Sequence, residues 1–116
     1  MLAKRKNMNN IGLKVRVMID RPIGSHHPEY TELIYECNYG YVEGIIAADG
    51  EEQDAYVLGI SDPIDSFEGI VIAEIIRKND IETKWVLAPT DAKFTEKEIR
   101  EAVNFQERFF DIIVLT

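Results

Sequence analysis

Alternation of apolar and polar positions predicts that most of the chain forms β-strands. Over residues 12–20 every second side chain is apolar, at Leu13, Val15, Val17 and Ile19. This period of two is typical of a strand with one buried face. Further extended runs cover residues 33–42, 54–59, 69–77 and 82–88, and Asp49-Gly50 marks a turn between the first two of these. The pattern therefore predicts five short strands.

The period changes near the C-terminus. Thr95 and Glu98 have the T-x-x-E spacing of a helix capping box. Apolar residues follow at helical spacing, at Ile99, Ala102, Val103, Phe109, Phe110 and Ile113. We therefore predict one amphipathic helix over about residues 95–111. Five short strands and one helix indicate a small, closed or partly open barrel with the helix packed on it and ligands bound at its mouth.

Length and composition fit a single domain. The 116 residues are 46% hydrophobic and 29% charged, which is ordinary for a globular protein with one core. We expect one domain over residues 1–116, with residues 1–11 as a flexible tail. No run approaches the roughly 20 apolar residues needed to span a bilayer, so we expect no membrane partner.

Net charge and cysteine content indicate which binding partners and which cell compartment to expect. A formal charge of -8 and a sequence pI near 4.7 oppose binding to nucleic acid, and the basic cluster Lys4, Arg5 and Lys6 lies on the predicted tail. The single cysteine, Cys37, forms no internal disulfide, which favours a cytoplasmic location. A phosphate ligand would be handled through divalent cations rather than through a lysine-rich surface.

An acidic cluster surrounds the predicted turn. Asp49, Glu51, Glu52 and Asp54 fall within the stretch DGEEQD and lead into a strand. Hard divalent cations take several oxygen ligands, so such a cluster can form a metal site. Turns also favour Asp and Gly for backbone reasons alone, so a solvated polar turn explains the same residues.

A second polar motif begins the fifth strand. Asp80, Glu82 and Lys84 have i, i+2, i+4 spacing and share one face, opposite to Trp85 and Leu87. A cation held by the acids and a phosphate held by Lys84 would use this arrangement. An ordinary cross-strand salt bridge would use it equally well.

Aromatic and imidazole side chains precede the acidic cluster. Tyr35, Tyr39 and Tyr41 share a face if their segment is extended, and core packing with the hydroxyls at the rim is the simplest interpretation. His26 and His27 are predicted loop residues, because no second pair of metal ligands accompanies them.

Two blocks at matching spacing resemble a known family. YECNYGYVEG followed by DGEEQDA is similar to the patterns Y-P-x-N-Y-G-Y and D-G-D-P-x-D of the soluble, magnesium-dependent family I inorganic pyrophosphatases. The resemblance covers about residues 17–88 and, more weakly, continues to 110. It implies a mainly β fold, an OB-like five-stranded β-barrel with a C-terminal α-helix packed on it. It also implies Mg²⁺ as cofactor, pyrophosphate as small-molecule substrate, hydrolysis to two phosphates by metal-activated water, and a homo-oligomer.

The resemblance assigns roles residue by residue. It implies metal ligands at four acids, Asp49, Asp54, Asp80 and Glu82. Glu51 stands where the family has its general base, and Tyr39 would lie close to the attacking water. Lys84 matches a phosphate-binding lysine, and Asp20 corresponds to a glutamate at the rim of the site.

The sequence departs from the family pattern mainly at the basic residues that bind phosphate. Glu51 is one methylene longer than the family's aspartate, and a misplacement near 1 Å can cost ~100-fold in rate. Phe109 and Phe110 stand where a tyrosine and a lysine hold phosphate, while Arg77 and Arg21 are possible substitutes from other positions. The leading hypothesis is magnesium-dependent pyrophosphate hydrolysis. The alternatives are a divergent member that binds metal and a phosphate or diphosphate ligand or hydrolyses another diphosphate, and a purely structural role for the acids.

Overall fold

Six β-strands and one α-helix make up the part of the chain that the computed structural model describes, residues 10–80 and 82–116. The elements are β1 (Lys14–Arg21), β2 (Asn38–Ile46), β3 (Glu52–Val57), β4 (Ser66–Arg77), β5 (Thr83–Ala88), α1 (Glu96–Glu107) and β6 (Ile112–Leu115). Most of the predicted flexible tail, with its basic cluster at Lys4, Arg5 and Lys6, lies outside the described residues. No helix among the described residues is long and apolar enough to cross a membrane.

Five of the strands close into a barrel. Strand β1 pairs with β2 and also with β4, β2 pairs with β3, and β4 pairs with β5, all antiparallel. The circle is completed by a parallel pairing of β3 with β5. The predicted mainly β, OB-like five-stranded barrel is therefore confirmed. Gly40 permits the close approach of β1 and β2, because a Cβ at this position would lie 1.8 Å from the carbonyl oxygen of Met18.

The C-terminal region differs from its prediction. The capping box is present, since Thr95 Oγ1 accepts from the Glu98 amide and the Glu98 carboxylate accepts from the Thr95 amide. The helix ends at Glu107, however, and not near residue 111. Phe109 and Phe110 lie in the following turn, and residues 112–115 form β6 along Glu74–Arg77 of β4. Strand β1 pairs only with the first part of β4. Further along the same edge of β4, β6 provides the hydrogen-bond partners for the backbone N–H and C=O groups.

The predicted strand over residues 33–42 begins later than expected. Residues 22–37 fold back on themselves through backbone hydrogen bonds from Gly24 to Tyr35 and from Tyr35 to Ser25, and β2 starts at Asn38. Tyr35 is consequently not on the strand that carries Tyr39. The two rings still meet, with centroids 5.4 Å apart, because the loop returns over the barrel.

The two faces of the strands carry two apolar clusters. Val17, Val42, Ala55, Trp85 and Leu87 belong to the cluster that fills the barrel interior. The opposite face of β3 and β5 packs against α1 in a cluster that includes Tyr56, Val86, Ile99 and Val103. Asp54 and Lys84 precede Tyr56 and Val86 by two residues and therefore emerge from this second face. The position where α1 stops covering that face is the position of the polar site.

Candidate active site

A cavity of about 730 Å³ opens between the end of α1 and the polar ends of β3, β4 and β5. It is lined by Asp20, Arg21, His27, Tyr30, Glu32, Leu33, Tyr39, Asp54, Arg77, Glu82, Lys84, Gln106, Arg108, Phe109 and Phe110. Seven of the residues to which the sequence analysis gives a role in the site are thus brought together, namely Asp20, Arg21, Tyr39, Asp54, Arg77, Glu82 and Lys84.

Lys84 contacts Tyr39, Asp54 and Glu82, and these four residues form the polar floor of the cavity. The buried ammonium of Lys84 donates to the Tyr39 hydroxyl (2.8 Å), to Asp54 Oδ2 (2.7 Å) and to Glu82 Oε2 (2.6 Å). An ammonium group has three N–H donors, so all of them are used. The cross-strand salt bridge that the spacing allows is present between Lys84 of β5 and Asp54 of β3, and Lys84 also pairs with Glu82, so it is the shared counterion of both acids. Its predicted role in phosphate binding stays a prediction.

Arg77 is held by carboxylates in a similar way. Its Nε and one terminal nitrogen donate to the two oxygens of Glu107, at 3.0 and 2.8 Å, and the other donates to Glu82 at 3.2 Å. The guanidinium carbon lies 3.7 Å from the centroid of the Phe110 ring. Arg77 therefore ties the end of α1 and the turn after it to β4.

A chain of hydrogen bonds continues from Glu107 to Arg21. The Tyr56 hydroxyl donates to Glu107 (2.6 Å) and accepts from the amide of Gln106 (2.6 Å). The Tyr35 hydroxyl donates to Gln106 (2.8 Å) and accepts from Arg21 (2.8 Å). Among the described residues no buried side-chain nitrogen or oxygen lacks a partner. A fully satisfied network of this kind fixes the positions of its members.

Burial and neighbouring charges keep the hydroxyl groups of Tyr39 and Tyr56 protonated. Burial raises the pKa of Tyr39 well above its usual range, and the charge of Asp54 adds to the rise. Burial and the charge of Glu107 do the same for the pKa of Tyr56. Both hydroxyls therefore remain protonated donors near neutral pH. At the mouth, partial burial of the carboxyl group raises the pKa of Asp20, Arg21 opposes that rise, and Asp54 adds a smaller one.

The turn residues of the acidic cluster lie elsewhere. Asp49 and Glu51 are exposed at the β2–β3 turn, outside the cavity lining, and Asp49 Oδ1 accepts from the Glu51 amide at 3.0 Å. Asp80 is exposed and borders a smaller depression of about 190 Å³. Of DGEEQD, Asp54 alone lines the main cavity. In residues 10–80 and 82–116 no group of three or more His, Cys, Asp and Glu side chains is arranged to hold a metal ion.

Other cavity residues received no role from the sequence. Arg108 caps the C-terminal end of α1, and its guanidinium lies 5.0 Å from the Phe109 ring centroid. A cation at a helix C-terminus is favoured by the helix dipole in any protein, so the sequence offered no signal for a site there. Tyr30 and His27 come from the loop before β2, with ring centroids 5.0 Å apart. Their place in the cavity depends on how that loop folds back.

Comparison with solved structures identifies the fold. The inorganic pyrophosphatase of Ehrlichia chaffeensis matches with a TM-score of 0.65 at 14% identity, over 90% of this chain and 85% of that one. The Helicobacter pylori enzyme matches with a TM-score of 0.64 at 15% identity, over 91% and 84% of the two chains. For the Coxiella burnetii protein the values are 0.63, 16%, 91% and 85%.

The chain has the fold of the inorganic pyrophosphatases. No protein-family model matches it, and no curated protein matches it in sequence. At these identities the likeness establishes the pyrophosphatase fold, whereas the chemistry has to be argued from the cavity.

Proposed function

We propose that the protein is an inorganic diphosphatase, which hydrolyses pyrophosphate to two phosphates in this cavity with Mg²⁺ as cofactor. The observation that carries the proposal is the convergence of Asp20, Asp54 and Glu82 with Tyr39 and Lys84 in one cavity of a pyrophosphatase fold. The solved neighbours are inorganic pyrophosphatases, which supports the same reaction here.

The donor set fits a hard divalent cation. Asp20, Asp54 and Glu82 offer only carboxylate oxygens, and the side chains of Asp54 and Glu82 are 32% and 27% exposed, so solvent reaches them. Mg²⁺ is usually bound by one or two carboxylates together with substrate phosphates and waters, so a complete cage of protein ligands is not required. Because no three acids among the described residues are arranged as a metal site, Asp54 and Glu82 would hold the ion together with phosphate oxygens and waters, with Asp20 at the rim. When bound, Mg²⁺ lowers the pKa of water and offsets phosphate charge. Asp49 and Asp80 stay predicted ligands at the surface.

The charges that line the cavity set the form in which the substrate binds. Four acids, Asp20, Glu32, Asp54 and Glu82, are balanced by four cations, Arg21, Arg77, Lys84 and Arg108. No excess of positive charge therefore attracts a bare pyrophosphate anion, and the magnesium complex is the better ligand.

Two arginines are the best placed to contact phosphate. Lys84 and Arg77 already donate to carboxylates, whereas Arg21 and Arg108 form no ion pair with any described residue. A guanidinium group suits phosphate because its planar N–H donors can bond two oxygens at once. We therefore assign phosphate binding first to Arg21 and Arg108, and orientation of the acids to Lys84 and Arg77.

The general base remains Glu51 in this proposal. Its carboxylate lies at the exposed turn over residues 47–51, so this role requires the turn to move toward the bound substrate. Asp54 is already in the cavity, where Tyr39 and Lys84 both donate to its Oδ2. The two variants Glu51→Gln and Asp54→Asn therefore probe different parts of the proposal.

Phosphate release from pyrophosphate with Mg²⁺ tests the proposal. Asp54→Asn should lower kcat by ~100-fold or more, as loss of a positioned acid–base or metal-binding group does. Glu51→Gln should do the same if Glu51 is the base and should leave the rate unchanged if it is not. Asp91→Asn is the matched control, because Asp91 is exposed and outside the cavity lining. No phosphate release by the natural chain at millimolar Mg²⁺ would refute the proposal.

A binding role without turnover is the second candidate. It is favoured by the engagement of Lys84 and Arg77 with internal carboxylates, which leaves fewer cations to stabilise charge in a transition state. Calorimetry of the natural chain and of Asp54→Asn separates this candidate from a structural role. Magnesium binding that Asp54→Asn weakens, without phosphate release, would favour it.

We retain the predicted cytoplasmic location, the homo-oligomer and the absence of nucleic-acid and membrane partners as parts of the proposal. They rest on the net charge of -8, the single cysteine and the family resemblance.

A further inference from the structure

The cavity is larger than pyrophosphate requires. Pyrophosphate has nine non-hydrogen atoms, and at roughly 20–30 Å³ per atom, up to the share of one water molecule in the liquid, it fills about 180–270 Å³. The cavity measures about 730 Å³, within the range of about 300–1,000 Å³ that is typical for organic ligands. Much of its volume would remain unfilled by the inorganic ion.

The additional volume is bordered by aromatic side chains. Tyr30, Phe109 and Phe110 are 68%, 63% and 41% exposed, and all three line the cavity together with His27 and Leu33. Large exposed apolar side chains that gather around one cavity mark a binding site more often than a chance surface. These residues come from the loop before β2 and from the turn after α1, so they form a mouth above the polar floor. We call this group of five residues the aromatic mouth.

Charged groups connect the aromatic mouth to the polar floor. Arg108 precedes Phe109 and lies against its ring at 5.0 Å, while Arg77 lies against the ring of Phe110 at 3.7 Å. A ligand whose phosphates reach Arg108 would therefore have its organic group beside Phe109. Planar rings are the groups that gain most from such a position, because a nucleobase stacks on an aromatic side chain.

We propose that the aromatic mouth binds the base of a nucleoside diphosphate while its two phosphates occupy the polar floor. This inference rests on the proposed function, since it places the diphosphate at the same site and narrows the class of substrate. In the reaction, the oxygen of water bonds to the terminal phosphorus as the bond from that phosphorus to the bridging oxygen breaks. The bridging oxygen leaves with the electron pair as part of a nucleoside monophosphate, and inorganic phosphate and a proton are the other products.

Binding of two non-hydrolysable probes tests the base-binding part separately from turnover. The probes are methylenediphosphonate, which stands for pyrophosphate, and α,β-methylene-ADP, which carries adenine as well. Calorimetry with Mg²⁺ should show the nucleotide probe binding about tenfold or more tightly than methylenediphosphonate. Phe109→Ala and Tyr30→Ala should weaken the nucleotide probe about tenfold and leave methylenediphosphonate unchanged.

A matched control removes an exposed apolar side chain elsewhere. Ile46 is 64% exposed at the end of β2, outside the cavity lining, and Ile46→Ala should alter neither affinity. Because Phe109 and Tyr30 are exposed, their replacement should leave the unfolding temperature nearly unchanged, which a thermal scan of each variant checks.

The outcomes separate the two proposals. If pyrophosphate is hydrolysed but the nucleotide probe binds no better than methylenediphosphonate and Phe109→Ala affects neither, the inference is wrong and the proposed function stands. If neither probe binds and neither pyrophosphate nor ADP is hydrolysed, both are wrong. Tighter binding of geranyl diphosphate than of the nucleotide probe would also overturn the inference, because that apolar tail has no planar ring to stack. Hydrolysis of ADP with a KM raised about tenfold by Phe109→Ala would support it.

Discussion

Replacing Arg77 by methionine tests whether the polar network holds the fold together. The Arg77 and Glu107 side chains are only 7% and 1% exposed, and they are joined by two hydrogen bonds of 3.0 and 2.8 Å. Methionine retains most of the apolar stem and removes the charge. Glu107 then remains in the core with the Tyr56 hydroxyl, at 2.6 Å, as its one remaining donor among the described residues.

The expected loss is large for a protein of this size. Removing one partner of a buried ion pair costs about 3–5 kcal/mol, because the other charge is left buried without a counterion. The second contact of Arg77, with the partly exposed Glu82, adds at most about 1 kcal/mol. With an unfolding entropy of about 2.1 cal/mol/K per residue over 116 residues, the main term corresponds to a fall in Tm of about 12–20 °C.

Urea denaturation of four proteins measures this loss. The series comprises the natural chain, Arg77→Met, Glu107→Gln and the double variant, analysed by linear extrapolation with an unchanged m-value. The double variant should be more stable than Arg77→Met by about 2 kcal/mol, because the unpaired buried charge is gone while the amide oxygen that replaces the carboxylate can still accept from Tyr56. Lys78→Met is the matched control, since the Lys78–Asp111 pair is exposed and 3.7 Å long, and it should change stability by less than about 0.5 kcal/mol. A loss below about 1 kcal/mol for Arg77→Met, or additive effects in the double variant, would refute the reasoning.

Three single side chains give further tests. Lys84→Met removes the shared counterion of Asp54 and Glu82, so thermal scans should show about 1–3 kcal/mol less stability than in the natural chain. Millimolar Mg²⁺ should stabilise the variant more than the natural chain, and an equal effect of Mg²⁺ on both would contradict this. Burial raises the pKa of Cys37 to about 12, so a maleimide at pH 8 should label the folded protein slowly and the urea-unfolded protein fast; equal rates would be contrary evidence. Burial and the charge of Arg21 lower the pKa of His27 below the usual 6.5, and its Nδ1 accepts hydrogen bonds from two backbone amides. As the pH falls, His27 therefore takes up a proton in the unfolded chain before it does so in the folded chain, so its contribution to stability decreases below about pH 6.5. A pKa above 6.5 measured by NMR for the folded protein would disprove this.

The barrel could be predicted because its determinants are local. In β1 the alternation around Val17 follows directly from the pleat, and the Thr95–Glu98 capping box needs only a spacing of three residues. The prediction that Trp85 and Leu87 lie opposite to Lys84 was confirmed for the same reason, since neighbouring side chains in a strand point to opposite faces.

The cavity could not be predicted because its determinants are distant in sequence. Asp54 and Lys84 are thirty residues apart in the sequence, and so are Arg77 and Glu107. Both pairs meet through strand pairings that depend on strand order. The helix end was misjudged for a related reason. The apolar residues after Glu107 continue a helical spacing, but the open edge of β4 takes residues 112–115 as a strand.

Strand register explains why Asp54 lines the cavity while Asp49 and Glu51 do not. Tyr39 lies opposite Tyr56, and Tyr56 lies beside Val86, so residues two positions earlier in β3 and β5, Asp54 and Lys84, share one face. Asp49 and Glu51 precede β3 in the turn, where the pleat no longer directs side chains to that face. An acidic cluster that looks continuous in sequence is therefore divided by the end of a strand.

The same sheet face serves first as core and then as site. Tyr56 and Val86 pack against α1, and two residues away Asp54 and Lys84 face the cavity, so the end of α1 is the boundary between them. Glu107 lies at that boundary and holds Arg77, whose guanidinium lies against Phe110 in the aromatic mouth. If the aromatic mouth binds a base as proposed, this contact couples the stability of the protein to its affinity for the ligand. We therefore expect Arg77→Met to weaken α,β-methylene-ADP more than methylenediphosphonate at temperatures where the variant is still folded. Equal losses for both probes would show that Arg77 acts on the floor alone and not through Phe110.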